Sequence, residues 1–230
     1  MNGEKMFIMH GDVAEVGVLF CRVDGRPELS ALIFDDTTQG GWQARALKDK
    51  LGMRAATSGG IVLKDVRVPK ENMMGEPGKG YEYAVATLDR ARAVVAAQAV
   101  GIGQRALDES VEYAKKRQAF GQPIAKLQAI QWMIADMATR LEAARGLVYR
   151  AAQMQDAGED VSMEASMARL YAAEMAGFCV DRAMQIHAGY GYIGEFSPIE
   201  KLYRDHRALE LDEGTFEVPQ LVIADKVIGR

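Results

Sequence analysis

Cysteine is nearly absent from this 230-residue chain: Cys21 and Cys179 stand far apart, with no CxxC spacing. That excludes a disulfide framework or a cysteine-based zinc site and suits a reducing compartment, with both thiols expected in the core. Histidine is also scarce. His10, His187 and His206 are scattered, and HExxH, GxSxG and EF-hand patterns are missing, so neither a metal site nor a serine triad has support. There is no basic excess: a net charge of −4 and a pI near 5.5 argue against nucleic-acid binding as a main task. No apolar run approaches the roughly 20 residues that span a bilayer. The N-terminus lacks the basic-then-apolar pattern of a signal peptide, so a soluble, cytoplasmic protein with no membrane partner is expected. Gly75-Glu76-Pro77-Gly78-Lys79-Gly80 lacks the spacing of a phosphate loop and is interrupted by proline; it reads as a flexible joint.

What is present is ordinary globular material, 49% apolar and 26% charged, enough for one or two domains with a real core. The periodicity changes along the chain. Apolar and β-branched runs at 6–9, 13–23, 29–34 and 61–68 predict strands. They are punctuated by Asp24-Gly25-Arg26-Pro27, Gln39-Gly40-Gly41 and Ser58-Gly59-Gly60, chemistry that joins antiparallel strands. From Gly80 onward Ala, Leu, Met, Glu and Arg dominate at helical spacing, predicting helices at about 81–117, 123–157, 162–188 and 215–228. Pro123 suits a first helical turn, Gly158 a helix stop, and Asp160 or Ser162 the next cap. Ala- and Gly-rich runs at 93–103 and 165–177 permit close helix approach and so a helical bundle. The expected class is α+β: a partial antiparallel β-domain at 1–75, then a four-helix bundle at 76–230. Long helices with apolar stripes on more than one face also predict self-association.

Three segments could carry chemistry, and each has a plainer reading. In Glu210-Leu211-Asp212-Glu213-Gly214-Thr215-Phe216-Glu217-Val218 a carboxylate stands beside a glycine and a hydroxyl, as a partly desolvated general base requires. The plainer reading is first-turn acids with Thr215 as a cap. In Lys115-Lys116-Arg117-Gln118-Ala119-Phe120-Gly121-Gln122-Pro123-Ile124 the fork of Arg117 and the following helix start could clamp a pyrophosphate. Otherwise the cations complement a helix C-terminus and Phe120 is core. Gln185-Ile186-His187-Ala188-Gly189-Tyr190-Gly191-Tyr192 could present backbone amides and a Gln side chain to a flat heteroaromatic or a phosphate. Alternatively it is a glycine C-cap with packed tyrosines, and His187 is a satisfied core histidine.

Taken in order, LDRAR, KKRQAFGQPIAKLQAIQ, QIHAGYGY, KLYRDHR and DEGT resemble the C-terminal two-thirds of the acyl-CoA dehydrogenase family. KLGMRAATSGGIVLKDVRVPKENMMGEPGKGY resembles that family's β-domain tail, so the resemblance covers nearly the whole chain. It implies FAD bound between domains and subunits, a dimer of dimers, and electrons passed to an electron-transferring flavoprotein. The location it implies is the cytoplasm, or the mitochondrial matrix if the source is eukaryotic. Glu213 would be the base that removes the α-proton of an acyl-CoA thioester, yielding a trans-2-enoyl-CoA, with the amide of residue 213 donating to the thioester oxygen. Arg117, Gln118, Ala119 and Phe120 match the segment that reaches the flavin diphosphate of a neighbouring subunit, and Gln128 a nearby flavin contact. The run Gln185, His187, Ala188 and Gly189 matches the adenylate side. Thr215 and Glu217 match further FAD contacts, and Gly214 adjoins the substrate. Asp89 and Arg92 match the CoA-contacting start of the first bundle helix.

Departures are visible as well. Phe7-Ile8-Met9 stands where the family usually has Trp-Ile-Thr beside the isoalloxazine. Asp212 replaces a frequent tyrosine, Pro219-Gln220 a usual Gln-Arg, and Glu195-Phe196-Ser197-Pro198 is one residue longer. The family's N-terminal helical domain and early β-strands have no counterpart before Met1, which reads as a fragment, a mis-set start or one part of a split enzyme. An acyl-CoA oxidase and a flavin-free helical scaffold subunit are the alternatives.

Overall fold

The computed structural model describes residues 1–35, 41–212 and 214–229. It is an α+β protein that divides by compactness into Met1–Thr87 and Leu88–Arg230.

In the first unit β1 (Gly3–Met9), β5 (Ser58–Leu63) and β4 (Trp42–Ala46) form one antiparallel sheet, with β5 in the middle. A second joins β2 (Val16–Arg22), β3 (Leu29–Asp35) and β6 (Met73–Met74). The β2–β3 hairpin turns at Asp24-Gly25, both in the left-handed region (φ 54° and 71°), as the Gly-containing turn predicts. Phe34 stacks on Trp42 with ring centroids 3.8 Å apart, over Leu63 and Val66. Two expectations fail here. Strand β4 was not anticipated, and Ser58-Gly59-Gly60 is strand rather than turn. Those glycines serve close approach: a Cβ on Gly59 would lie 2.4 Å from the Asp12 amide nitrogen, and one on Gly60 2.9 Å from Met6 Sδ. The run 61–68 leaves the sheet after Leu63. Gln39 and Gly40 of the second expected turn lie outside the described residues.

The 75–80 joint is tied down within this unit. Gly78 N–H donates to Ser30 Oγ at 2.9 Å, Glu76 N–H to the Tyr83 hydroxyl at 3.0 Å, and a Cβ on Gly80 would meet the Ser30 backbone at 2.6 Å. A backbone that must pass this close needs glycine.

Helix α1 (Gly80–Lys116) leads into the second unit, followed by α2 (Gln128–Asp156), α3 (Ser162–His187), the single turn α4 (Gly189–Tyr192), α5 (Ile199–Leu209) and α6 (Glu217–Ile228). Helix α3 is the hub, packing on α2, α5 and α6. Its alanines explain why: Ala165, Ala168, Ala172, Ala173, Ala176 and Ala183 are all buried, and such short side chains let neighbours approach on several sides. Gly103 of α1 serves the same end, since a Cβ there would lie 2.7 Å from Met175 Sδ. Cys179 is buried in this core, and burial pushes its thiol up to about 12; Cys21 is only half-buried.

The helix ends follow local chemistry. After α2, Gly158 takes φ 75° while its N–H donates to Gln155 O and that of Glu159 to Met154 O, a Schellman closure. Asp160 then accepts from the Ser162 amide at 3.0 Å as α3 begins. Pro123 does not start a helix. It ends the short strand β8 (Gln122–Pro123), which pairs with β7 (Gln118–Ala119), and α2 begins only at Gln128 after a 3-10 turn. Helix α5 was not anticipated either: it is short and dense in charge, and its buried face includes Asp205 and His206.

Candidate functional site

The β7–β8 hairpin and the end of α3 enclose a pocket of about 520 Å³. Its geometry starts from a two-residue turn. Phe120 and Gly121 both have positive φ, 50° and 78°, the backbone a tight hairpin requires, and Phe120 is held 91% exposed. A bulky residue in that region is strained, so the fold keeps an aromatic outside at a cost. Arg117 starts the hairpin, its amide bonded back to Tyr113 O at 2.8 Å. Its guanidinium carbon lies 5.4 Å from the Tyr190 ring centroid.

The opposite wall comes from α3 and α4. His187 is 2% exposed; its Nδ1 lies 2.8 Å from Ala183 O, so that nitrogen carries the proton, and the ring stacks on Tyr113 at 4.3 Å. Burial lowers its pKa, leaving the imidazole neutral. Ala188, at φ 50°, turns the chain so that Gly189 and Tyr190 face the cavity, and Tyr190 packs on Phe196 at 5.2 Å. No other atom lies within 4 Å of where a Cβ on Gly189 would sit, so its backbone is open to approach.

The pocket therefore brings together Arg117, Ala119, Phe120, His187, Ala188 and Gly189, from two sequence segments some seventy residues apart. Gln118, Gln128 and Gln185 are exposed nearby in sequence but do not line it. Tyr113, Ile193 and Phe196 line it and were missed; Tyr113 sits one helical turn before Arg117, the spacing that could have disclosed it.

The segment around residue 213 is a separate feature of the helical unit. Glu213 itself lies outside the described residues. Before it, Arg169 Nη2 donates to Asp212 O at 2.6 Å; after it, the Arg169 guanidinium carbon lies 6.0 Å from the Phe216 ring centroid. Gly214 takes φ 97° with Val218 Cβ and Cγ2 3.3 Å from where a Cβ would sit. Thr215 and Glu217 are exposed at the start of α6, where a hydrogen bond from the Thr215 side chain lowers the Glu217 pKa. Burial likewise lowers the pKa of His206, whose Nε2 lies 3.8 Å from Glu210.

Asp89 and Arg92 form an internal pair. Arg92, 4% exposed, also reaches Ser166 Oγ at 3.4 Å, while Ser162 Oγ donates to the other Asp89 oxygen at 3.0 Å. Phe7 and Met9 are exposed on β1, Phe7 at φ 61° within the irregularity that shifts the β1–β5 register. Among the described residues, no His, Cys, Asp or Glu cluster could hold a metal ion, and no helix is long and apolar enough to cross a membrane.

Residues 78–228 match the family described as acyl-CoA dehydrogenase, C-terminal domain. The chain belongs to the acyl-CoA dehydrogenase family. It is 43% identical to the caffeyl-CoA reductase-Etf complex subunit CarC of Acetobacterium woodii over 100% of this chain and 61% of that protein. It is 40% identical to the short-chain specific acyl-CoA dehydrogenase of Clostridium acetobutylicum, covering 99% of this chain and 60% of the relative. The butyryl-CoA dehydrogenase structure from Megasphaera elsdenii superposes with a TM-score of 0.94 at 38% identity, over 99% of this chain and 60% of that one. The chain thus spans about three-fifths of the length of these relatives. The expected family and α+β class hold.

Proposed function

We propose that the chain supplies part of the β-domain and the helical domain of a FAD-dependent acyl-CoA dehydrogenase, which converts an acyl-CoA thioester to a trans-2-enoyl-CoA. The observation that carries this reading is the pocket. In a member of this family, six residues expected to contact the dinucleotide converge on one cavity with a single cation, aromatic planes and an unobstructed glycine backbone. Those properties fit FAD. The Arg117 guanidinium would donate to its diphosphate as a planar fork, and Phe120 and Tyr190 offer faces to its rings. Gly189 lets the ligand approach the main chain. Neutral His187, fixed by Ala183 and Tyr113, keeps the floor rigid and free of a second charge.

When bound, FAD supplies the acceptor for the β-hydride. Glu213 takes the α-proton onto its carboxylate, and the residue 213 amide stabilises the enolate-like thioester oxygen. Gly214, at φ 97°, supplies the bend that follows it. The electron partner is an electron-transferring flavoprotein, consistent with the name of the Acetobacterium woodii relative. That name favours a second reading of direction, in which the same site reduces an enoyl-CoA. Exposed apolar residues on the helices, among them Trp132, Tyr149, Leu221 and Val227, support assembly as a dimer of dimers.

The test is the visible spectrum of the purified protein. A flavin spectrum, or its appearance on reconstitution with FAD, is expected. A colourless protein that cannot be reconstituted would favour the scaffold alternative, and peroxide release with oxygen consumption would favour an oxidase.

A further inference from the structure

Arginine is out of place in the buried N-terminal third of α3. Its neighbours on that helix are Ala165, Ala168, Ala172 and Ala173, all buried, yet Arg169 is buried with them, at 1% exposure. Removing a guanidinium from water costs several kcal/mol unless its donors are met, so burial of this kind calls for a reason. The polar groups one and two turns earlier are engaged elsewhere: Ser162 binds Asp89, and Ser166 accepts from Arg92 and donates to Ser162 O. Arg169 instead reaches across the unit to the loop after α5, donating to Asp212 O and flanking the Phe216 ring. By Asp212 the helix has ended. Its amide still bonds to Ala208 O at 2.9 Å, but its carbonyl points onward to the cation. On the far side, the Val218 amide closes on Thr215 O at 3.0 Å as α6 starts.

We infer that Arg169 is a positioning residue: by clamping residue 212 and bracing residue 216 it fixes the chain on either side of the residue read as the base. The inference rests on the reading of Glu213 as the base. Consecutive Cα atoms are about 3.8 Å apart, so position 213 is one residue from the clamp and two from the start of the α6 turn. The glycine at 214 makes such a clamp necessary. At φ 97° it gives the bend, but glycine resists displacement less than any other residue. A base must meet its carbon within a narrow range, and a displacement of about 1 Å can cost about a hundredfold in rate.

The test uses R169Q and R169K in the purified protein with two readouts. The first is amide hydrogen exchange. Both variants should exchange faster in the peptide covering 210–217, with α2 and the second half of α3 unchanged. The second is steady-state dehydrogenation of a short acyl-CoA. R169Q should lose about a hundredfold in kcat with KM within about twofold, and R169K should regain part of the loss, since it keeps the cation but not the fork. Unchanged exchange at 210–217 in R169K overturns the inference, even if R169Q fails to fold. So does a uniform rise in exchange across the helical unit, which marks a merely structural arginine. If the unsubstituted protein shows no acyl-CoA-dependent turnover, the proposed function fails, while the exchange readout still decides the role of Arg169.

Discussion

The two compact units bury apolar surface in opposite ways. In the helical unit α3 is covered on nearly every side, and its alanines are fully buried against α2, α5 and α6. In the strand unit the core is a small group around Phe34, Leu63 and Val66, while Phe7, Met9, Val16 and Val18 are exposed on the strands. The helical unit is built to hold its own shape. Both units also present apolar faces of the kind that meet a ligand or another polypeptide surface, the helical unit at Trp132, Tyr149, Leu221 and Val227. A core of alanines has no room to yield, whereas an exposed valine has little to lose.

That contrast can be broken by substitution. The largest effect on stability is expected from Ala176→Leu in α3, where added methylenes have no space: a loss of about 1–3 kcal/mol, read as a lower thermal midpoint. Val18→Thr on β2 should change stability by less than about 0.5 kcal/mol, because half of that side chain already meets solvent. A large effect at Val18 would show that its face is covered in the protein as it exists. Next in size, Arg117→Met should weaken FAD binding about tenfold in a fluorescence titration, as loss of a charged hydrogen bond implies, and leave the melting midpoint unchanged. The smallest effect concerns pH. Burial holds the pKa of His187 below its usual 6.5, so on acidification the unfolded chain binds a proton that the folded one refuses, and stability falls as pH drops below about 6.5. His187→Phe should flatten that fall between pH 7 and 5, with the remainder traceable to His206, shifted in the same direction.

Legibility in the sequence tracked how directly a residue's role is local. The end of α2 and the start of α3 were readable because Gly158 and Asp160 act on backbone groups a few residues away, whereas Thr215 does not cap α6 and bonds the Glu217 side chain instead. Helix α5 was not, since its eleven residues are dense in charge and its buried face mixes Ile199 and Leu209 with Asp205 and His206. Pro123 misled because a proline suits either a helix start or an edge strand, and the positive φ of Phe120 decided for the hairpin. At the site, Arg117 and Gly189 were legible from motif chemistry and meet in one pocket. Arg169 was not, because an arginine within a helix ordinarily extends its head to water. Only the fold shows it turned inward to Asp212.

The proposed chemistry needs one carboxylate to act as a base toward an acyl-CoA. Anaerobic mixing of the FAD-loaded protein with a panel of acyl-CoA thioesters, following flavin absorbance, tests it most directly. The unsubstituted protein should bleach with at least one thioester, and Glu213→Gln should bind the same thioester yet bleach more slowly by about a thousandfold, in the range expected for a lost general base. Rapid bleaching by Glu213→Gln would contradict the account.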